Sequence, residues 1–134
     1  MAEAIARDLV DRGEVPGVKG DGIFFASAGT WAADGVPFSS EAHRVLGERG
    51  IALDGRSKRV TREMAVGADL VMGMTKSHVE AVRAIVGPVG LRCELALDPQ
   101  EVDDPVGLGV AAYRRVADQL SQLLPARLSE MLRT

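Results

Sequence analysis

Cysteine is almost absent from this sequence: Cys93 stands alone among 134 residues, so no disulfide can close within the chain. The two histidines, His43 and His78, lie 35 positions apart with no carboxylate or thiol pattern around either, so no zinc-ligand spacing is present. Long apolar runs are lacking too. None approaches the ~20 residues that span a bilayer. The segment Met1 to Asp8 carries acids where a secretory signal needs a basic stretch followed by an apolar one. Nor does positive charge prevail: 16 basic side chains face 19 acidic ones, a net charge of -3, which is not the footprint of a nucleic-acid binder. Together these absences point to a cytoplasmic protein with no nucleic-acid or membrane partner and no metal.

What is present suits a folded domain. A hydrophobic content of 46% with 26% charged residues is the usual mixture for a single core, and 1–134 reads as one domain. The 15 glycines exceed the typical ~7% and promise many turns.

Periodicity places the elements. Ala2, Ile5, Ala6 and Leu9 share one helical face between Met1 and Arg12, although no Ser, Thr, Asp or Asn precedes that helix to cap it. Ile23–Ala28 is a short bulky apolar run between glycines, the pattern of a buried strand. Ser39 or Ser40 caps a helix ending at Gly50, Thr61 caps a short one through Val66, and Thr75 or Ser77 opens one that stops at Gly87-Pro88. Asp69–Met74 and Leu91–Leu97 read as further strands. The final helix runs from Gly109, with Pro125 expected to end or kink it and a last turn or two running on to Arg133. Strands alternating with helices imply an α/β fold, a parallel sheet with helices on both faces. Three strands are few for such a sheet.

Four segments then fall into register with a known family. They are Ser27-Ala28-Gly29-Thr30, Gly50-Ile51-Ala52-Leu53, Ala68 through Thr75, and Asp104-Pro105 with Tyr113 nine positions later. In order and spacing the chain resembles the low-molecular-weight protein phosphatases. The wording Met74-Thr75-Lys76-Ser77-His78 is most similar to bacterial members acting on phosphoarginine in proteins, with the tyrosine-specific members close behind. The resemblance implies a three-layer α-β-α fold with four strands in the order 2-1-3-4. It also implies a phosphorylated protein as substrate and a mechanism without cofactor or metal. In that mechanism a cysteine, set in a loop of cysteine, five residues and arginine, attacks phosphorus. Loop amides and a helix N-terminus gather the phosphate oxygens and lower the thiol pKa. The arginine grips the phosphoryl group, and an aspartate protonates the leaving atom and later activates water.

In the family that loop ends in Ser-Pro and continues as Met-Ala-Glu-Ala, the residues found here as Met1-Ala2-Glu3-Ala4. The first, central strand, the nucleophile and the loop arginine therefore have no counterpart among these residues. The expectation is a start site assigned to an internal methionine and a 134-residue chain without turnover. The rival expectation is a non-catalytic remnant acting as a binding or regulatory partner. A phosphocysteine carrier of the same architecture is opposed by the Asp-Pro pair.

By resemblance, Asp104 is the general acid and base, with Asp103 as the fallback; a plain turn aspartate before Pro105 is the alternative. Val106 stands where the family usually has an aromatic residue. Trp31 occupies a position where the family often has a pocket-wall residue, able to pack on the stem of phosphoarginine or the ring of phosphotyrosine. Cys93, inside an apolar strand with no loop arginine after it, reads as structural. His43, His78 and the cluster Arg56, Lys58, Arg59 and Arg62 read as solvated surface, the cluster with some attraction for an acidic or phosphorylated partner.

Overall fold

The face formed by Ala4, Ile5, Ala6, Leu9 and Val10 is buried along α1, Ala2–Asp11. The computed structural model of the protein describes residues 1–30, 34–88 and 90–132. Four further helices follow: α2 (Ser40–Glu48), α3 (Arg62–Gly67), α4 (Lys76–Val86) and α5 (Val110–Leu132). Two short strands, β1 (Val71–Gly73) and β2 (Cys93–Leu95), flank α4 in sequence. The fold is α/β. Its packing gathers into two compact units, one built from Met1–Ser27, Pro37–Gly55 and the chain from Asp104 on, the other from Ala28–Val36 and Arg56–Asp103.

In the first unit α1 and α2 both pack on α5. The core there includes Ile5, Leu46, Leu120 and Leu128, each almost wholly removed from water. Burial of such a side chain contributes about 1.5–3 kcal/mol. Ser39 starts α2 as its cap, its Oγ accepting from the Ala42 amide at 3.2 Å. Arg114 reaches the Glu48 carboxylate at 3.0 Å and holds that carboxyl below its ordinary pKa, while Arg49 pairs with Asp118. These pairs are solvent-exposed and tie α2 to α5 only weakly.

Pro125 neither ends nor breaks α5. The helix continues to Leu132, and Leu124, Leu128 and Met131 are buried on either side of the proline. Proline removes one amide donor and crowds the preceding turn, at a cost of about 3 kcal/mol. Burial of three large side chains on that face opposes this cost, a compensation that local propensity does not contain.

In the second unit β1 and β2 pair in parallel, with Val71 opposite Cys93, Met72 opposite Glu94 and Gly73 opposite Leu95. The crossover is α4, which packs on both strands and on α3. Val79, Val82 and Val86 of α4 form a core with Ala65 and Cys93. Thr61 and Thr75 cap α3 and α4 through their side-chain oxygens. Glycine is needed at position 73, because a Cβ there would lie 2.7 Å from Val79 Cγ2 and 3.1 Å from the Val79 amide nitrogen. That close approach lets α4 turn back onto β1.

The strands are shorter than the apolar runs suggest, and Ile23–Ala28 forms none. Phe24 is 95% exposed. A strand is defined by a neighbour that accepts and donates along its edge. No described residue plays that part for this run, so its apolar composition does not become burial.

Candidate active site

Asp104 lies in the turn that leads into α5. Its Oδ1 accepts from the Val106 amide at 3.0 Å, and the turn closes with the Leu108 amide donating to the Pro105 carbonyl at 3.0 Å. Gly107 and Gly109 take positive φ values of 78° and 86°, the conformation that lets so short a loop reverse into the helix. The carboxylate is exposed, and its second oxygen has no partner among the described residues. One oxygen is thus fixed by the loop and the other is open to solvent. A carboxyl held in this way can pass a proton to a leaving atom and take one from water. Val106 and Leu108 stand out beside it, 68% and 66% exposed.

The base of the same turn is anchored by Tyr113. Its ring is buried on α5, and Ser39 Oγ donates to its hydroxyl at 3.0 Å while capping α2. Asp103, the fallback acid, is exposed. Just before it, the Val102 amide donates to the Met74 carbonyl at 2.8 Å, and the Glu101 carboxylate accepts from the Lys76 amide at 2.7 Å. Glu101 thereby sits at the positive end of α4, where a carboxylate is favoured. Sequence reasoning missed this cap because the acid comes from 25 residues further along the chain.

The start of α1 has the opposite character. Met1 supplies no side-chain cap, and among the described residues the amides of Ala2, Glu3 and Ala4 have no acceptor. Burial pushes the Met1 amine below its ordinary pKa, partly offset by Glu3. Unbonded amides at a helix start are oriented to receive an anion.

Cys93 does not qualify as a nucleophile. It is 1% exposed on β2, and desolvation pushes its thiol pKa up, with a smaller opposing pull from Arg83. Arg83 itself donates to the Cys93 carbonyl at 2.8 Å and so grips the backbone rather than a bound phosphate. The thiol should therefore be inert in the native state. Ellman's reagent is expected to label Cys93 at least about 100-fold more slowly than in urea, because reaction requires local or global opening. The sign with pH follows. The folded thiol keeps its proton above ~8.5, where the unfolded thiol releases it. Its contribution to stability is full below that pH and declines as pH rises toward the folded pKa. Urea midpoints at pH 7.5 and 9.5, compared between the native chain and Cys93→Ala, measure that loss.

The remaining candidates do not assemble into a site. His43 is exposed and His78 is half-buried, and no group of metal-holding side chains exists among the described residues. Of the basic cluster, Arg56 donates to the Gly35 carbonyl at 2.9 Å, while Lys58, Arg59 and Arg62 are exposed. Trp31 lies outside the described residues. A cavity of about 170 Å³ lies between α1 and residues 50–52, lined by Ala4, Arg7, Asp8 and Asp11 among others, and has no thiol in its lining. No helix among the described residues is long and apolar enough to cross a membrane.

Comparison with known proteins bears on this arrangement. The sequence model of the family described as low molecular weight phosphotyrosine protein phosphatase matches residues 1–134. A protein-arginine-phosphatase of Geobacillus stearothermophilus is 30% identical over 135 residues, covering 97% of this chain and 87% of that protein. A solved low molecular weight protein tyrosine phosphatase from T. tengcongensis superposes with a TM-score of 0.81 at 31% identity, covering 97% of this chain and 88% of that one. The YwlE arginine phosphatase, solved as a cysteine-to-serine mutant with a phosphorylated active-site serine, gives a TM-score of 0.81 at 27% identity, with 98% of this chain and 85% of that one covered.

Proposed function

Because this chain belongs to the low molecular weight phosphotyrosine protein phosphatase family, we propose that it is the acid-bearing body of a phosphatase that works through phosphocysteine, and that these 134 residues by themselves do not turn over phosphate. The observation that carries the reading is the state of the one thiol: Cys93 is buried, its pKa is raised, and no arginine follows it at the loop spacing. A phosphocysteine mechanism needs a thiolate facing a phosphate held by backbone amides and a guanidinium. In this reading that machinery is supplied by a cysteine-loop segment joined at Met1.

In this reading Asp104 protonates the leaving nitrogen or oxygen as the cysteine attacks, and then takes a proton from the water that releases phosphate. Trp31, next to the Ser27–Thr30 segment, is assigned the wall of the substrate pocket from its place in the sequence. For substrate we favour phosphoarginine in proteins over phosphotyrosine. Val106, an aliphatic residue after the Asp-Pro pair, suits an aliphatic stem better than an aromatic ring. The relative in Geobacillus stearothermophilus carries the arginine activity in its name. The test is phosphate release, from a phosphoarginine protein and from a phosphotyrosine protein, by this chain with and without a cysteine-loop segment fused at Met1. Release by the fusion alone, fastest from phosphoarginine, is the expected result.

A further inference from the structure

The turn that carries Asp104 has almost no packing of its own. From Asp103 to Gly109 every residue is exposed except Pro105, which is half-buried. The Asp104–Val106 and Pro105–Leu108 hydrogen bonds, both 3.0 Å, set the shape of the turn but not its place. Within the first unit, its place is set where Gly109 passes into α5. There the amides of Ala112 and Tyr113 both donate to the Gly109 carbonyl, at 3.1 and 3.4 Å. Tyr113 is the first large side chain after the turn to be buried, 5% exposed, and its Oη accepts from Ser39 Oγ at 3.0 Å. Ser39 is fixed in turn. Its Oγ accepts from the Ala42 amide and its carbonyl from the His43 amide, each at 3.2 Å, so the donor to Tyr113 belongs to the first turn of α2.

From this we infer that Tyr113 is a positioning residue for Asp104, acting through the hydrogen bond between its hydroxyl and Ser39. The inference rests on the assignment of Asp104 as the general acid. A phenyl ring would fill the same space, and a buried hydroxyl is unfavourable unless it is bonded, so burial alone does not call for tyrosine here. What the bond adds is direction. A ring held at its tip as well as its stem fixes the rotation of the first turn of α5, and satisfied buried polar networks select one arrangement in this way. That rotation decides where Gly109 leaves the helix and where Asp104, five residues before it, presents its open oxygen. The neighbouring Arg114–Glu48 pair also joins α5 to α2, but it is solvent-exposed and holds weakly. Tyr113 touches no substrate in this account. Its effect on the reaction passes through Asp104.

Tyr113→Phe in the 134-residue chain is the first test, read by nuclear magnetic resonance. Exchange of the Val106 amide with water reports on the turn, because the Asp104 carboxylate holds that amide. It is expected to quicken at least about fivefold through local opening, while amides in the middle of α5, such as Leu120, keep their native rates. Ser39→Ala should give the same Val106 rate, and the double variant no faster one. The second test uses the cysteine-loop fusion. There Tyr113→Phe should lower kcat at least about tenfold for phosphoarginine and phosphotyrosine proteins, far more than for p-nitrophenyl phosphate, with KM unchanged. It should add nothing in the Asp104→Asn background. An inactive native fusion refutes the phosphatase reading itself. A native Val106 rate in Tyr113→Phe, uniformly faster exchange along α5, equal losses on all three substrates, or losses that add to those of Asp104→Asn overturn this inference.

Discussion

Fused at Met1 to a strand and a loop of cysteine, five residues and arginine, this chain is expected to release phosphate at least about 10⁴-fold faster than it does alone, the scale on which loss of a covalent nucleophile lowers turnover. The cause is a difference between two thiols. Cys93 is buried in a strand, its pKa is raised by desolvation, and the arginine beside it is occupied by a backbone carbonyl. A thiol at the entry to α1 would meet amides of Ala2, Glu3 and Ala4 that have no acceptor among the described residues. Those amides and the helix dipole stabilise both a thiolate and the phosphate oxygens. Replacing the fused cysteine by serine should abolish the gain, and Cys93→Ala should leave it intact. A fusion that folds, binds phosphate and does not turn over would count against the assignment of this chain as the catalytic body.

In that fused protein Asp104→Asn is expected to slow formation of phosphocysteine by about 10²–10⁴-fold, the usual contribution of a positioned general acid. The substitution is a clean probe. Oδ1 of Asp104 accepts from the Val106 amide, and an asparagine carbonyl oxygen can accept the same bond, so the turn survives while the proton is lost. The loss should depend on the leaving group. A tyrosine phenol, with a pKa near 10, and an arginine nitrogen depart poorly without a proton. Activated p-nitrophenolate departs readily without one. Burst rates should therefore fall far more for phosphotyrosine and phosphoarginine than for p-nitrophenyl phosphate. A merely structural role would lower all three alike. Asp103→Asn should change none of them, and a larger effect there would move the acid by one position.

How much of this was legible in the residues can be judged element by element. The helix starts at Ser39, Thr61 and Thr75 are announced to within a residue or two, with Ser40 and Ser77 as equal candidates in the sequence, because capping is local, needing one side-chain oxygen and an amide three residues on. The family was legible for a similar reason: the Asp104-Pro105 turn and the short segments around Ser27, Gly50 and Asp69 keep fixed order and spacing. Cys93 was legible as structural from its apolar neighbours, and its burial agrees. The failures are non-local. The continuation of α5 through Pro125 depends on what Leu128 and Met131 are buried against, which no window of sequence contains. Ile23–Ala28 has a strand's composition without a strand's neighbour, and hydrogen-bond partners across a sheet are not encoded within the run itself. Glu101 caps α4 from a distant loop, and Arg7 satisfies the Phe25 carbonyl from α1. Both follow from tertiary placement.

Whether the bare chain turns over phosphate is read by intact mass and phosphate release measured together. Purified 134-residue protein, incubated with p-nitrophenyl phosphate and with a phosphoarginine protein, is expected to release no phosphate above the background of the buffer. It should also gain no phosphoryl mass on Cys93. Turnover that disappears in Cys93→Ser, or a phosphoryl group trapped on that sulfur, would make Cys93 the nucleophile and the bare chain a phosphatase.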